Sequence, residues 1–278
     1  MKKIRKLKNS NEAVAGVIVA VLMIGLILSI IAFIQAVYVP QWMEEKEAEH
    51  MEEVGNQFSQ LKFAVDTLSV TRQKNSPISC SITLGSKEMP FLYSEKSYGS
   101  LEILPNDCKI EIIDNFGTSF EFNLGSIRYD SDNYYYLDQS YIFEAGALLL
   151  VQDEDNVISI QPAISIVDQK DLFFNFVKFS GIGDKTSASG YGTYPLQAKF
   201  FDSEDLIINS VQQINLNTSY IDAWKGYFED LFAKSDLRFR IEENLYGDCI
   251  IITFEDIFPD LNLKVNEISV QISPGWIE

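Results

Sequence analysis

Residues 13–39 read AVAGVIVAVLMIGLILSIIAFIQAVYV, an uncharged run whose only strongly polar side chains are Ser29 and Gln35. As an α-helix this run extends roughly 40 Å at about 1.5 Å per residue, against a hydrocarbon core of about 30 Å. It is long enough to cross a bilayer, with tilt taking up the excess. A cleaved secretory signal would have an apolar region of only about 7–15 residues and a small-residue cleavage site after it. Here the run closes on Tyr38-Val39-Pro40-Gln41-Trp42, which fits an interfacial aromatic belt. Lys2, Lys3, Arg5, Lys6 and Lys8 precede it, with Glu12 the one acid among the first twelve residues. The positive-inside rule therefore expects a cytoplasmic N-terminus and an exported C-terminal bulk. The expected organisation is a basic cytoplasmic leader at 1–12, a transmembrane helix at 13–39, an amphipathic stalk helix at 40–72 and an extracellular β-rich domain at 73–278.

The rest of the composition narrows the function classes. The chain has 278 residues, 46% of them hydrophobic and 13% aromatic, which is ample for a folded core. Its net charge is −18, and because the first twelve residues are basic the remainder is more acidic still. Such a surface opposes nucleic-acid binding, which needs clustered Lys and Arg on phosphate. One histidine and three scattered cysteines offer little for metal or His-based catalysis. No nucleophile elbow is present, and carboxylate pairs are too common to single out a glycosidase dyad. The reading is non-enzymatic, with no cofactor and no catalytic or metal-ligating residue assigned.

Beyond Pro40, which lacks an N–H and is expected to kink or interrupt the helix, Glu44–Ser69 is rich in Glu, Gln, Met and Leu. Met51, Val54, Phe58, Leu61, Val65 and Leu68 recur at steps of three and four, drawing an apolar stripe down one side. The stripe packs either on copies of itself or on the protein's own β domain, and its short length favours the second. His50, in the acidic part of this helix, is expected to be solvated.

From Pro77 the pattern turns to short alternating or β-branched runs: Ile78–Leu84, Ala147–Val151, Val157–Ile160, Phe173–Phe179, Leu196–Phe201, Leu206–Ile214, Leu237–Ile241, Cys249–Phe254 and Leu261–Ile272. Lys109–Ile113 and Ser119–Leu124 flank Asp114-Asn115-Phe116-Gly117 as a hairpin. The fold class expected is α+β, an antiparallel β-sandwich-like ectodomain behind the long N-terminal helix. One helix interrupts it over Tyr220–Lys234, capped by Thr218 or Ser219, with its aromatics on the sheet. A division into two lobes near 168–172 is left open.

Other motifs read as ordinary structure. Ser180–Gly192 lacks the spacing of a phosphate loop and reads as a flexible surface loop. Asp130-Ser131-Asp132-Asn133 and the Gln152–Asn156 stretch read as acidic turns in preference to calcium loops. If exported thiols oxidise, Cys80 with Cys108 is the expected pair, on neighbouring strands, leaving Cys249 free or buried. Asn217-Thr218-Ser219 is a glycosylation sequon, although the same hydroxyls suit the helix cap.

Three stretches carry a family resemblance: Asn11-Glu12-Ala13-Val14-Ala15-Gly16-Val17-Ile18, the run Val39-Pro40-Gln41-Trp42-Met43-Glu44 with the Glu47–Met51 segment, and Phe143-Glu144-Ala145-Gly146-Ala147 together with Ala223-Trp224. In this order of parts the chain resembles archaeal type IV pilin-like membrane-anchored proteins. The resemblance implies removal of the basic leader on the cytoplasmic side, with Ser10 the small residue near the junction. It implies that Glu12 registers subunits and that the helix packs into an assembly with copies of itself or other pilin-like subunits. The small residues Ala13, Ala15, Gly16, Ala20 and Gly25 would then allow close helix approach. The expected function is a cell-surface structural or adhesion component, with a monomeric tethered binding or sensing module as the alternative. The lipid bilayer is a partner on either reading.

Overall fold

A computed structural model describes residues 10–86, 97–153, 155–168 and 170–272, with side chains from Val14 onward. The basic leader and the side chains of Glu12 and Ala13 therefore lie outside the described residues.

Helix α1 (Ser10–Phe33) runs through one π turn (Ile34–Tyr38) into α2 (Val39–Thr71). Pro40 does not break the helix. It sits in the first turn of α2, and the missing N–H and the ring are accommodated by the wider turn just before it. Helical structure ends at Arg72, whose left-handed φ of 52° lets its N–H bond to the Leu68 carbonyl.

The strands follow in chain order: β1 (Ile78–Thr83), β2 (Tyr98–Leu104), β3 (Lys109–Asp114), β4 (Ser119–Asn123), β5 (Ser126–Asp132), β6 (Gln139–Glu144), β7 (Ala147–Gln152) and β8 (Asp155–Ile160). After these come β9 (Ala163–Val167), β10 (Asp171–Gly181), β11 (Ser187–Gly190), β12 (Thr193–Ile208) and β13 (Val211–Asn217). Helix α3 (Ile221–Phe232) precedes β14 (Arg238–Glu243), β15 (Cys249–Glu255) and β16 (Leu261–Ile272). They form three sheets, ordered β1-β12-β16-β10-β9, β11-β2-β5-β6-β7-β8 and β14-β15-β13-β3-β4. The pairings are antiparallel except β10 with β16, which run parallel from Leu172↔Leu261 to Gly181↔Val270. The α+β class holds, with three sheets in place of a simple sandwich and one parallel pair at its centre.

Two cores result. One lies between α2, the first sheet and one face of the second sheet; the other lies between α3, the third sheet and the opposite face of the second sheet. The second sheet is thus buried on both sides at β6 and β7. Tyr141, Phe143 and Leu148 face the α2 core, while Ile142, Ala147 and Leu149 face the α3 core. This is why residues 141–151 read as a nearly continuous apolar run.

The first sheet serves both cores by changing its buried face along its length. On β10, Leu172, Phe174 and Phe176 enter the α3 core, and Val177 and Phe179 enter the α2 core. On β16 the change falls between Val265 and Ile268, and on β12 it falls at a bulge around Phe201. Two consecutive buried residues, Phe176 and Val177, mark the switch, since alternate side chains point to opposite faces. Strands β9 and β10, which flank the region around 168–172, pair with each other within this sheet, so the two cores divide across the strands and not at a linker.

Several expectations need correction here. Leu196–Phe201 and Leu206–Ile208 are one strand carrying the bulge, because β16 pairs with both parts. Ser180–Gly192 is not a free loop: Gly181 ends β10, and Ser187–Gly190 pairs with β2. Helix α3 is not capped by a Thr218 or Ser219 side chain. Its N-cap is Tyr220, and the Ala223 N–H donates at 2.7 Å to Asn156 Oδ1 on β8. Its aromatic face does pack inward through Trp224, Phe228 and Phe232.

Candidate functional site

The feature that sets this chain apart is α1, exposed along the whole of Val14–Phe33. By length and composition the helix is able to span a bilayer. A helix apolar on every side needs an apolar surrounding on every side. Helical geometry sorts the expected assembly residues. Gly16 and Ala20, four apart, lie on one face, and a Cβ at Gly16 or Gly25 would meet nothing within 4 Å. Ala15 stands about 100° from Gly16, and Gly25 about 140° from Ala20, at about 100° per residue. Gly25 instead shares a second small face with Ser29, whose hydroxyl donates to the Gly25 carbonyl at 2.8 Å, and with Ala32. The sequence reading overlooked those two, although spacings of four and seven from Gly25 were the available signal.

At the C-terminal end of α1 three aromatic rings cluster, with the Tyr38 ring 5.8 Å from Phe33 and 5.9 Å from Trp42. Above it the domain takes hold at once. Val39 and Met43 are each only 1% exposed, and the full stripe Met51, Val54, Phe58, Leu61, Val65 and Leu68 is buried in the α2 core. The helix at 40–72 is therefore a docked element of the β domain and not a free stalk. The stripe also continues downward through His50 and Glu47, at the same steps of three and four.

Those two polar members were not foreseen, and both are buried. Glu47 is fully covered, and its carboxylate accepts the backbone N–H groups of Tyr134, Tyr135 and Tyr136 at 3.1, 2.7 and 2.7 Å. It fastens the β5–β6 loop to the helix. The expected solvated position of His50 is corrected: it is 4% exposed, with Nε2 3.2 Å from the Tyr129 hydroxyl. That hydroxyl donates to the Leu84 carbonyl at 3.0 Å, and burial pushes its pKa well up. A helix residue, a β5 residue and the end of β1 are thereby joined. A Cβ at Gly99 would lie 2.2 Å from the Leu84 oxygen, so only glycine admits this arrangement. Tyr141 donates to the Met51 carbonyl at 3.2 Å, and Gly55 one turn on leaves room for its ring. Gln57 exchanges two hydrogen bonds with Thr83 at the edge of the first sheet.

The other buried acid is Glu144, placed by the two-residue turn Ala145-Gly146, both at positive φ. Its Oε1 accepts Thr218 Oγ1 at 2.7 Å and Trp224 Nε1 at 2.6 Å, tying α3 to β6. The Phe143–Ala147 and Ala223-Trp224 motifs thus meet in space. Burial raises its pKa to about 7 against the pull of these two donors, with Asp107 adding to the rise. Oε2 has no hydrogen-bond partner among the described residues. Its contacts are those of a pin between β6 and α3.

The remaining candidates fall apart in space. All three cysteines are free. Cys80 lies on β1 against the α2 core, while Cys108 is buried in the α3 core; their strands belong to different sheets, so the expected Cys80–Cys108 pair does not form. Asn217 is half-buried at the end of β13, paired on one side with Cys249 and on the other with Lys109. Asp130 is held by Arg128 and Ser140, and no group of three His, Cys, Asp or Glu residues stands ready for a metal among the described residues.

Open grooves also mark the surface of the described residues, the largest of them, about 820 Å³, bordered by Phe120, Glu121, Lys178, Glu204 and Glu267. One of about 550 Å³ lies on the first sheet and is lined by Phe173, Asn175, Ile207 and Lys264. Another, about 600 Å³, is polar and runs between the acidic face of α2 and the edge strand β1. No family model, curated protein or solved structure matches the chain.

Proposed function

We propose that this protein is a membrane-anchored, pilin-like cell-surface structural or adhesion component, non-enzymatic, with a cytoplasmic N-terminus and an extracellular domain. The observation that carries this reading is the contrast within one continuous helix, fully uncovered over Val14–Phe33 and docked on its own domain from Val39. Assembly then runs through α1 alone, because the Met51–Leu68 stripe is already occupied by the β domain. Gly16 with Ala20, and Gly25 with Ser29, are the faces on which a second helix approaches closely.

The alternative, a monomeric tethered binding or sensing module, draws support from the outer face of α2. Glu44, Glu45, Glu49, Glu52 and Glu53 line it, and like charges oppose side-by-side packing of copies above the membrane. Intact mass of the protein from membrane and surface-shear fractions separates the two. Loss of roughly the first ten residues with material in the sheared fraction fits the subunit; a full-length mass found only in the membrane overturns assembly and leaves the tethered module. Gly16→Phe with Ala20→Phe should abolish assembly while leaving insertion intact.

A further inference from the structure

We propose that the β domain has a second contact with the bilayer, in which the β5–β6 loop, through Tyr134 and Leu137, rests in the lipid headgroup layer beside the anchor. This rests on the membrane-anchor reading of α1.

The argument begins with how low the domain sits. Val39, the last residue of the apolar run, is already 1% exposed, so protein covers one side of the helix at the level where hydrocarbon gives way to headgroups. No spacer lifts the domain off the membrane. The loop is then fixed near that level. Glu47 is eight residues beyond Val39, about 12 Å along the axis, and binds three consecutive N–H groups of the loop. Interfacial regions add roughly 5–8 Å beyond the hydrocarbon on each side, and a tyrosine side chain covers a distance of that order. The loop is also rigid in its own right, since Asn133 donates to the Leu137 carbonyl at 2.9 Å and its N–H to Asp138 Oδ1 at 2.7 Å.

What the loop displays is the remaining point. Tyr134 is 64% exposed and Leu137 48%, close in sequence on the loop that Glu47 holds to the helix. An amphipathic ring and an apolar side chain at that depth match the preference of such residues for the membrane interface. Buried Glu47 has a reason on this account: it holds an aromatic loop where lipid, and not water, meets it. Because the domain is strongly acidic, zwitterionic lipid is the partner that fits.

The test uses the full chain in phosphatidylcholine nanodiscs, with Cys80→Ser and one environment-sensitive dye in turn at Leu137→Cys, at Val37→Cys within the anchor, and at Leu245→Cys on the β14–β15 turn. Lipids carrying a nitroxide on the headgroup serve as quencher. Quenching at 137 several-fold above that at 245 is expected, together with quenching at 37. Equal quenching at 137 and 245, while 37 is quenched, overturns the loop contact and leaves the anchor standing. A blue-shifted dye at 137 that lipid does not quench places protein there, and also overturns it. Absence of quenching at 37 overturns the anchor reading itself and the loop contact with it.

Discussion

Helices α1 and α2 are two halves of one rod, and they solve the burial problem in opposite ways. Along α1 every side chain from Val14 to Phe33 is exposed and nearly all are apolar; along α2 a stripe of one residue in three or four is buried and the opposite face is charged. The first pattern asks for an apolar solvent, the second for a one-sided protein cover. The junction is Val39, where the π turn ends and the domain begins. Because the change is abrupt, α1 and the domain adjoin with no spacer between them.

Substitutions on the two halves should therefore differ sharply. Phe58→Ala removes a fully buried ring from the α2 core and should lower domain stability by about 3–5 kcal/mol, whereas Leu22→Ala should leave it unchanged. Urea unfolding of the domain in detergent, followed by Trp224 emission, reads both. Equal effects at the two sites would erase the distinction.

The two buried glutamates give the next contrast. Glu47 has three donors shared across both carboxylate oxygens, while Glu144 has two donors on one oxygen and an orphan on the other. The folded chain holds the Glu144 proton to about pH 7, and the unfolded chain releases it near 4.5. Below that value both states are protonated and the group is neutral to stability. Between the two values only the folded state keeps the proton, so its contribution falls as pH rises, by about 3 kcal/mol in all, and levels off above pH 7. Glu144→Gln should remove this slope, as comparison of urea midpoints for the two proteins at pH 5 and pH 8 would show. An unchanged slope would mean that Glu144 is ionised when folded.

A smaller effect probes the grip itself. Alanine for glycine inside a helix normally stabilises by about 1 kcal/mol. At Gly55 the added methyl would lie 2.6 Å from the Tyr141 hydroxyl, so Gly55→Ala should instead destabilise by roughly 1–2 kcal/mol. Adding Tyr141→Phe should recover part of the loss, and no coupling between the two would show that the hydroxyl is not the obstacle.

What was legible in the sequence follows from how local each signal is. The apolar run, the Met51–Leu68 stripe and the Lys109–Asn123 hairpin are short-range patterns, and each was readable as it stands. Strands β2, β5, β6, β9 and β11 escaped notice: polar residues such as Ser, Arg, Asp and Gln interrupt β2, β5 and β6, β6 is also buried on both faces, β9 is only five residues long, and β11 is built from Ser, Ala and Gly. His50 was read as solvated, and Glu47 drew no reading of its own, since acidic neighbours surround both in sequence; only the spacing from Met43 through Val54 marked them as part of the stripe. Neither the Glu144–Trp224 contact nor the separation of Cys80 from Cys108 has any local signature. Both depend on which sheet each strand joins, a matter of long-range pairing. The assembly residues were legible as small residues, but their division between two faces of α1 emerged only from helical geometry.

The most direct test is a spin-label scan of the full chain in nanodiscs, from Val14 to Leu68 in a Cys80→Ser background, reading accessibility to oxygen and to a water-soluble nickel complex. The account predicts oxygen-accessible labels throughout Val17–Val37, a crossover between Val39 and Trp42, and above it alternation between protected stripe positions and water-exposed Glu53 and Phe63. Nickel-accessible labels along Val17–Ile31, or a crossover displaced by several turns from Val39, would contradict it.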